Sequence, residues 1–241
     1  MGEFKKGLYK TGIICYHKNM RRITFFEQPK TIRKEGLLIF ILAGFVFIIT
    51  PAVSLFVITR GEQSALYNSL SRLAWSENLF APIFICILLN MFTFAFAEVL
   101  ALKKIGFVKP MKIIFLTLTA VVFVAGVVGL SIPCRFTNDP HDVALRDAHI
   151  SVSMSSFISI FVVVLLITAA VWFFNRRLAL LATLVDVFTI LCGLFALYQL
   201  RDPTSFVVTS APAQVCILTL YNISMAAHYF GAFIFPHFPK K

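Results

Sequence analysis

Charge is what this chain has least of. Asp, Glu, Lys and Arg make up 14% of its 241 residues, with 11 acids set against 22 bases. A soluble domain carries about 25% charged and about 45–50% apolar residues. Here the hydrophobic share is 59% and the mean hydropathy is positive, which excludes an ordinary soluble fold.

Several chemistries are missing as well. There is no CxxC, no metal-type Cys/His spacing, no haem-attachment motif, no Gly-rich phosphate loop, no HExxH and no serine in a nucleophile elbow. Neither a metal nor another cofactor is therefore expected. The five cysteines form no framework. Cys15 lies in the basic N-terminal segment, Cys134 in a polar loop, and Cys86, Cys192 and Cys216 inside apolar runs. One bridge to Cys134 is conceivable, but buried free thiols are the expected state. No cleavable leader is expected either, because residues 1–36 carry nine Lys and Arg and no apolar core.

What the chain does have is apolar length. Six runs, near Leu37–Thr59, Leu79–Ala101, Ile113–Ile132, Ile150–Phe174, Leu178–Tyr198 and Ala213–Phe235, each reach the roughly 20 residues that a bilayer requires. The expected fold is all-α: a polytopic bundle of six transmembrane helices over 37–235, preceded by a basic segment, 1–36, and followed by a short tail, 236–241. The basic segment either lies along the membrane surface or serves only as a topology signal. Lys and Arg alternate strictly across the runs, 17 on one side against 5 on the other, which places both termini in the cytoplasm. The net charge of +11 is thus absorbed by topology, and no nucleic-acid partner follows from it.

The loops and the polar residues within the runs hold the candidates for function. Arg60–Asn78 reads as an amphipathic segment with a short interfacial helix, having Tyr67, Leu70, Leu73 and Ala74 on one side and Tyr67 and Trp75 at headgroup level. The "NRR" link makes the fourth and fifth runs antiparallel neighbours. Ala125 and Gly129 would permit close helix approach, and Ser151, Ser155 and Ser159 form a stripe that reads as a packing seam.

The stretch "DPHDVALRDAHISVS" places Asp142, Arg146 and His149 on one helical face, with His141 two turns from His149. It offers carboxylate and imidazole for general-base chemistry, or His141, Arg146 and His149 for a lipid headgroup. It also offers an ordinary Asp142–Arg146 ion pair and a helix start capped by Asn138 or Asp139 before Pro140. On balance it reads as the polar lid of a bundle. Within the runs, Glu98 lies near an end and would snorkel towards Lys103 or Lys104. Asp186 and His228 are level in depth, at about 12 and 10 Å from one surface by helix rise. They are expected to share a hydrogen bond, with Asn90 as a third partner, either as a catalytic pair or as a polar clamp. Pro51 and Pro82 sit near run ends and are not expected to break the helices.

Taken together, "LYNSLSRLAWSENLFAPIF", "DPHDVALRDAHISVSMSSF" and "CILTLYNISMAAHYFGAFIFPHF" resemble the superfamily of the FGF-receptor-activating protein and the damage-regulated autophagy modulators. That superfamily includes a Golgi protein that acts on GPI-anchored proteins. The resemblance covers roughly residues 60–238. It matches Ser69, Ser71, Glu77 and Pro82 to the first outer-loop pattern, His149 with His141 and Asp142 to the mouth of the fourth span, and His228 to the last span. Where many members carry a Glu near the start of the last span, this chain has Leu218, Thr219 and Leu220, and "PHF" replaces the acid that follows that span. The resemblance implies lipid-linked roles such as GPI-anchor lipid remodelling.

The leading expectation is a protein of the endomembrane (Golgi or lysosome) or the plasma membrane that binds or organises membrane lipids, or regulates a membrane-protein partner. The rivals are a lipid-modifying hydrolase or acyltransferase using His149 with Asp142, or Asp186 with His228, and a structural subunit of a larger complex.

Overall fold

The computed structural model describes residues 30–60, 69–76, 79–135, 137–199 and 210–235. Cys15, Tyr67, Glu77, most of the basic segment, most of the third polar loop and the tail lie outside them. All secondary structure among the described residues is helical. Among the described residues six helices are long and apolar enough to cross a membrane: Lys34–Phe56, Phe80–Ile105, Lys109–Ser131, Pro140–Phe174, Arg176–Ala196 and Ala211–Ile234. The chain is therefore an integral membrane protein of the all-α class.

The chain divides after Ile41 into two units. The described part of the first, residues 30–41, is helical and belongs to α1 (Lys30–Gly44). The second unit holds a π-helical turn, Phe45–Ile49, followed by α2 (Thr50–Arg60), α3 (Leu70–Ser76), α4 (Phe80–Ile105), α5 (Lys109–Ser131), α6 (Pro140–Phe174), α7 (Arg176–Gln199) and α8 (Ala211–Ile234).

Pro51 does more than the sequence suggests. Lacking an N–H, it cannot continue the i→i−4 ladder, and the turn just before it is π-helical. The Thr50 hydroxyl donates to the Phe45 carbonyl at 2.7 Å, satisfying an acceptor within that turn. Pro82, at the start of α4, leaves its helix intact.

The central helix is α8, the most buried of the six spans, which packs on α2, α4, α6 and α7. Small residues explain this position: Ala211, Ala213, Ser224, Ala226 and Ala232 are all buried on it. Close approach also joins α5 to α6. A Cβ on Gly129 would lie 3.0 Å from Ser153 Oγ, and one on Gly126 would lie 2.8 Å from Ser156 Oγ. Ser156 then donates to the Val122 carbonyl at 2.9 Å across this contact. The seam therefore uses Ser153 and Ser156, one turn-face away from the expected stripe, of which Ser151 and Ser155 are exposed.

Two local devices set the ends of the bundle. Asn175 is the one non-helical residue between α6 and α7, which confirms that those helices are antiparallel neighbours. Its Oδ1 accepts from Leu178 N–H at 3.2 Å, and its Nδ2 donates to the Phe235 carbonyl at 2.8 Å. At the opposite end, α6 begins ten residues before its apolar run. Asp139 caps it by accepting from His141 N–H at 2.8 Å, and Pro140 occupies the first turn.

The short helix α3 forms, and its apolar face packs against the bundle. Leu70, Leu73 and Ala74 are buried against Ile83, Cys86, Ala211 and Val215. Ser69 starts the helix, its Oγ accepting from Arg72 N–H at 3.2 Å, and Gln214 Oε1 on α8 accepts from Leu70 N–H at 3.0 Å. Trp75 is drawn into the same cluster, its ring 4.9 Å from that of Phe80.

Candidate functional site

Burying α3 brings Ser71 across to the start of α6. The Ser71 Oγ lies 2.6 Å from His149 Nε2, and His149 Nδ1 lies 3.0 Å from the Ile132 carbonyl oxygen. A carbonyl can only accept, so Nδ1 carries a proton. In the neutral imidazole Nε2 is then the acceptor, and the Ser71 hydroxyl donates to it. His149 is 2% exposed and Ser71 is half-buried. Hydroxyl, base and orienting acceptor stand in the order that nucleophilic catalysis requires, with a backbone carbonyl in the place of the third carboxylate.

A cavity of about 220 Å³ opens beside this pair. Apart from Ser71 and His149 at its mouth, it is lined mainly by apolar side chains of α4, α5, α6 and α8. Met154 and Ile158 of α6 also line it, and they are 48% and 59% exposed on the surface of a helix that crosses the membrane. The cavity is thus bounded on one side by residues that also lie on the apolar outer surface of α6. Cys134 lines it too; burial pushes its thiol up to about 11, with the charge of Arg146 a weaker opposing influence. Cys134 is free, as are Cys86, Cys192 and Cys216.

The rest of "DPHDVALRDAHISVS" does not join the site. His141 is exposed and eight residues up the helix from His149, about 12 Å by helix rise. Asp142 accepts from the Thr137 hydroxyl at 2.7 Å, and Arg146 pairs with Asp147 at 3.7 Å. The expected Asp142–Arg146 ion pair is thus replaced by a neighbour pair, and Asp142 is no partner for His149.

Asp186 and His228 do meet, but through a third residue. The Thr168 hydroxyl lies 2.6 Å from Asp186 Oδ2 and 2.8 Å from His228 Nε2, all buried. Ser224 donates its hydroxyl to Asp186 Oδ1, and His228 Nδ1 donates to the Ser224 carbonyl at 2.9 Å. Two proton arrangements satisfy every bond: imidazolium with carboxylate, or neutral imidazole with carboxylic acid, interconverted through the Thr168 hydroxyl. Both leave the cluster without net charge, which is what a membrane interior demands.

Asn90 belongs to a separate group. Asn222 Nδ2 donates to Asn90 Oδ1 at 3.0 Å, and Asn90 Nδ2 donates to the Cys86 carbonyl at 2.9 Å. Nor does Glu98 snorkel. It is fully buried, and the Thr119 hydroxyl lies beside its carboxyl without forming a well-aligned hydrogen bond to it. No group of three or more His, Cys, Asp or Glu among the described residues could hold a metal ion.

Fold and site together define a six-span helical membrane protein with a partly buried Ser–His pair beside a mainly apolar cavity. No family model, curated protein or solved structure matches the chain.

Proposed function

We propose that this protein is a lipid hydrolase or acyltransferase in which Ser71 is the nucleophile and His149 the general base. The observation that carries the reading is the 2.6 Å contact between Ser71 Oγ and His149 Nε2, both of which line a mainly apolar cavity. The substrate is an acyl ester of a membrane lipid, delivered sideways past Met154 and Ile158.

The chemistry follows from the order of groups. Ser71 Oγ attacks the ester carbonyl carbon while its proton passes to Nε2 of His149. The imidazolium so formed is held by the Nδ1–H bond to the Ile132 carbonyl. Collapse of the tetrahedral intermediate breaks the bond to the alcohol oxygen, and that alcohol takes the proton from Nε2. Water, or a second lipid hydroxyl, then gives its proton to Nε2 of His149 and attacks the acyl-serine; the bond from the acyl carbon to Ser71 Oγ breaks, Oγ takes the proton back from Nε2, and fatty acid or a new ester is released.

The alternation of Lys and Arg along the chain supports cytoplasmic termini, which would put the dyad on the lumenal or outer side. The resemblance to the superfamily that includes a GPI-anchor lipid-remodelling protein supports a lipid ester as substrate. Lipid recognition without chemistry is the reading to adopt if Ser71 does not react.

A fluorophosphonate probe applied to the full chain in lipid nanodiscs, followed by peptide mapping, tests the proposal. Labelling at Ser71 that requires His149 is the expected result. An unlabelled Ser71 in folded protein removes the catalytic reading.

A further inference from the structure

The inner end of the cavity carries more information than its mouth. Between His149 and Ile160, both lining residues on α6, the helix rises through eleven residues, or about 16 Å. The cavity therefore runs from the dyad well into the bundle. Met91 of α4, Leu218 and Tyr221 line it together with Ile160. Behind the same four side chains lies a second, much smaller void of about 10 Å³, which also touches Asn90 and Asn222.

We propose that the cavity takes one acyl chain, methyl end inward, and that Met91 and Tyr221 set the longest chain it accepts. The proposal rests on the reading of Ser71 and His149 as an acyl-transfer centre, since that reading places the carbonyl carbon at the mouth.

The occupant is an acyl chain because the lining is mainly apolar, its Ser156 and Gln214 being engaged in hydrogen bonds of their own, and because Met154 and Ile158 also lie on the outer surface of a helix long enough to cross a membrane. A chain that passed the partition would have to lie against the amide pair of Asn90 and Asn222, an unfavourable neighbour for methylene groups. The two partition residues differ in stiffness. Tyr221 is fixed, its hydroxyl donating to the Phe157 carbonyl at 3.0 Å and its ring stacked on Phe161 at 6.2 Å. Met91 is an unbranched thioether that adapts to its surroundings. Its Cε would lie 2.8 Å from a Cβ on Gly126, so it fills the space which that glycine leaves. Met91 is thus the side chain whose size decides whether the two voids join.

The test compares binding with reactivity. A series of straight-chain fatty acids from butyrate to stearate is offered to full-length Ser71→Ala protein in nanodiscs, alone or combined with Met91→Ala or Met91→Phe. Bound acids are read by native mass spectrometry. The expected result is a chain-length limit that rises in Met91→Ala by roughly three carbons, the heavy atoms removed beyond Cβ, each about the size of a buried methylene. In Met91→Phe the limit falls. A limit unchanged in both variants, or no saturable fatty-acid binding, overturns the proposal. Fluorophosphonate labelling of protein with Ser71 intact is scored separately. Its absence defeats the acyl-transfer reading even where the chain-length limit moves as expected, so the two failures are distinguishable.

Discussion

Ser71 and His149 are 78 positions apart in the chain, yet Ser71 Oγ and His149 Nε2 lie 2.6 Å apart. Their meeting depends on α3, a seven-residue helix whose apolar face is held in the bundle by Leu70, Leu73 and Ala74. A general base typically contributes about 10²- to 10⁴-fold. His149→Ala should therefore lower fluorophosphonate labelling of Ser71 by roughly that factor, with helical content by circular dichroism unchanged. Labelling that persists at the wild-type rate would show that His149 does not activate the serine.

Thr168 joins the Asp186 carboxyl directly to the His228 ring through one hydroxyl. Thr168→Val keeps the shape and removes the hydroxyl, leaving two buried ionisable groups each short of a partner. Loss of about 1–3 kcal/mol is expected, the cost of stranding a buried polar group. It should appear as a lower melting temperature in detergent, while Ser71 labelling at low temperature is retained. An unchanged melting curve would mean that the three side chains do not form one network.

Glu98 is the opposite case, a buried carboxyl with the Thr119 hydroxyl beside it but no well-aligned hydrogen bond to hold it. A buried polar group without a compensating hydrogen bond is costly, so an apolar side chain of similar size replaces it with little loss or with a gain. Glu98→Leu should leave the melting temperature unchanged or raise it. A marked fall would reveal a role for the carboxyl that packing alone does not explain.

Cys134 faces the cavity, and burial pushes its thiol from 9.0 up to about 11. Only the thiolate reacts with alkylating agents. At pH 8 that rise lowers the thiolate fraction about 100-fold relative to an unperturbed thiol, and the rate should climb about tenfold for each further pH unit up to about 11. Iodoacetamide labelling followed by mass spectrometry across that range provides the check. Rapid labelling near neutrality, flat with pH, would contradict the burial.

Much of the fold can be read from composition, because six apolar runs leave few alternatives once backbone polar groups must be satisfied inside a bilayer. The start of α6 at Pro140 was legible only in part. The cap is written in "NDP", but the polar first turns do not announce that they extend a membrane helix. The level depth of Asp186 and His228 could be counted along their helices, yet the bridge by Thr168 could not. A threonine in an apolar helix ordinarily bonds its own backbone, and its partners depend on how two helices are rotated. Asn90 shows the same limit, since depth says nothing of which face a residue occupies.

The dyad itself was half visible. His149 stood out as an imidazole at the mouth of a span, and Asp142 and Arg146 looked like its neighbours by helical spacing. They point elsewhere, while Ser71 comes from a distant loop helix. The available signal was the spacing of Leu70, Leu73 and Ala74. Read as a face buried in the bundle, not one floating at an interface, it would have brought Ser71 towards the span ends.

The central claim is that Ser71 and His149 cleave acyl esters of membrane lipids. The most direct measurement is fatty-acid release, followed by mass spectrometry, from isotope-labelled phosphatidylcholine in nanodiscs containing either the wild-type chain or Ser71→Ala. The account predicts time-dependent release with the wild-type protein and background release with the variant. Equal release from both, or none from folded wild-type protein that binds the lipid, would contradict it.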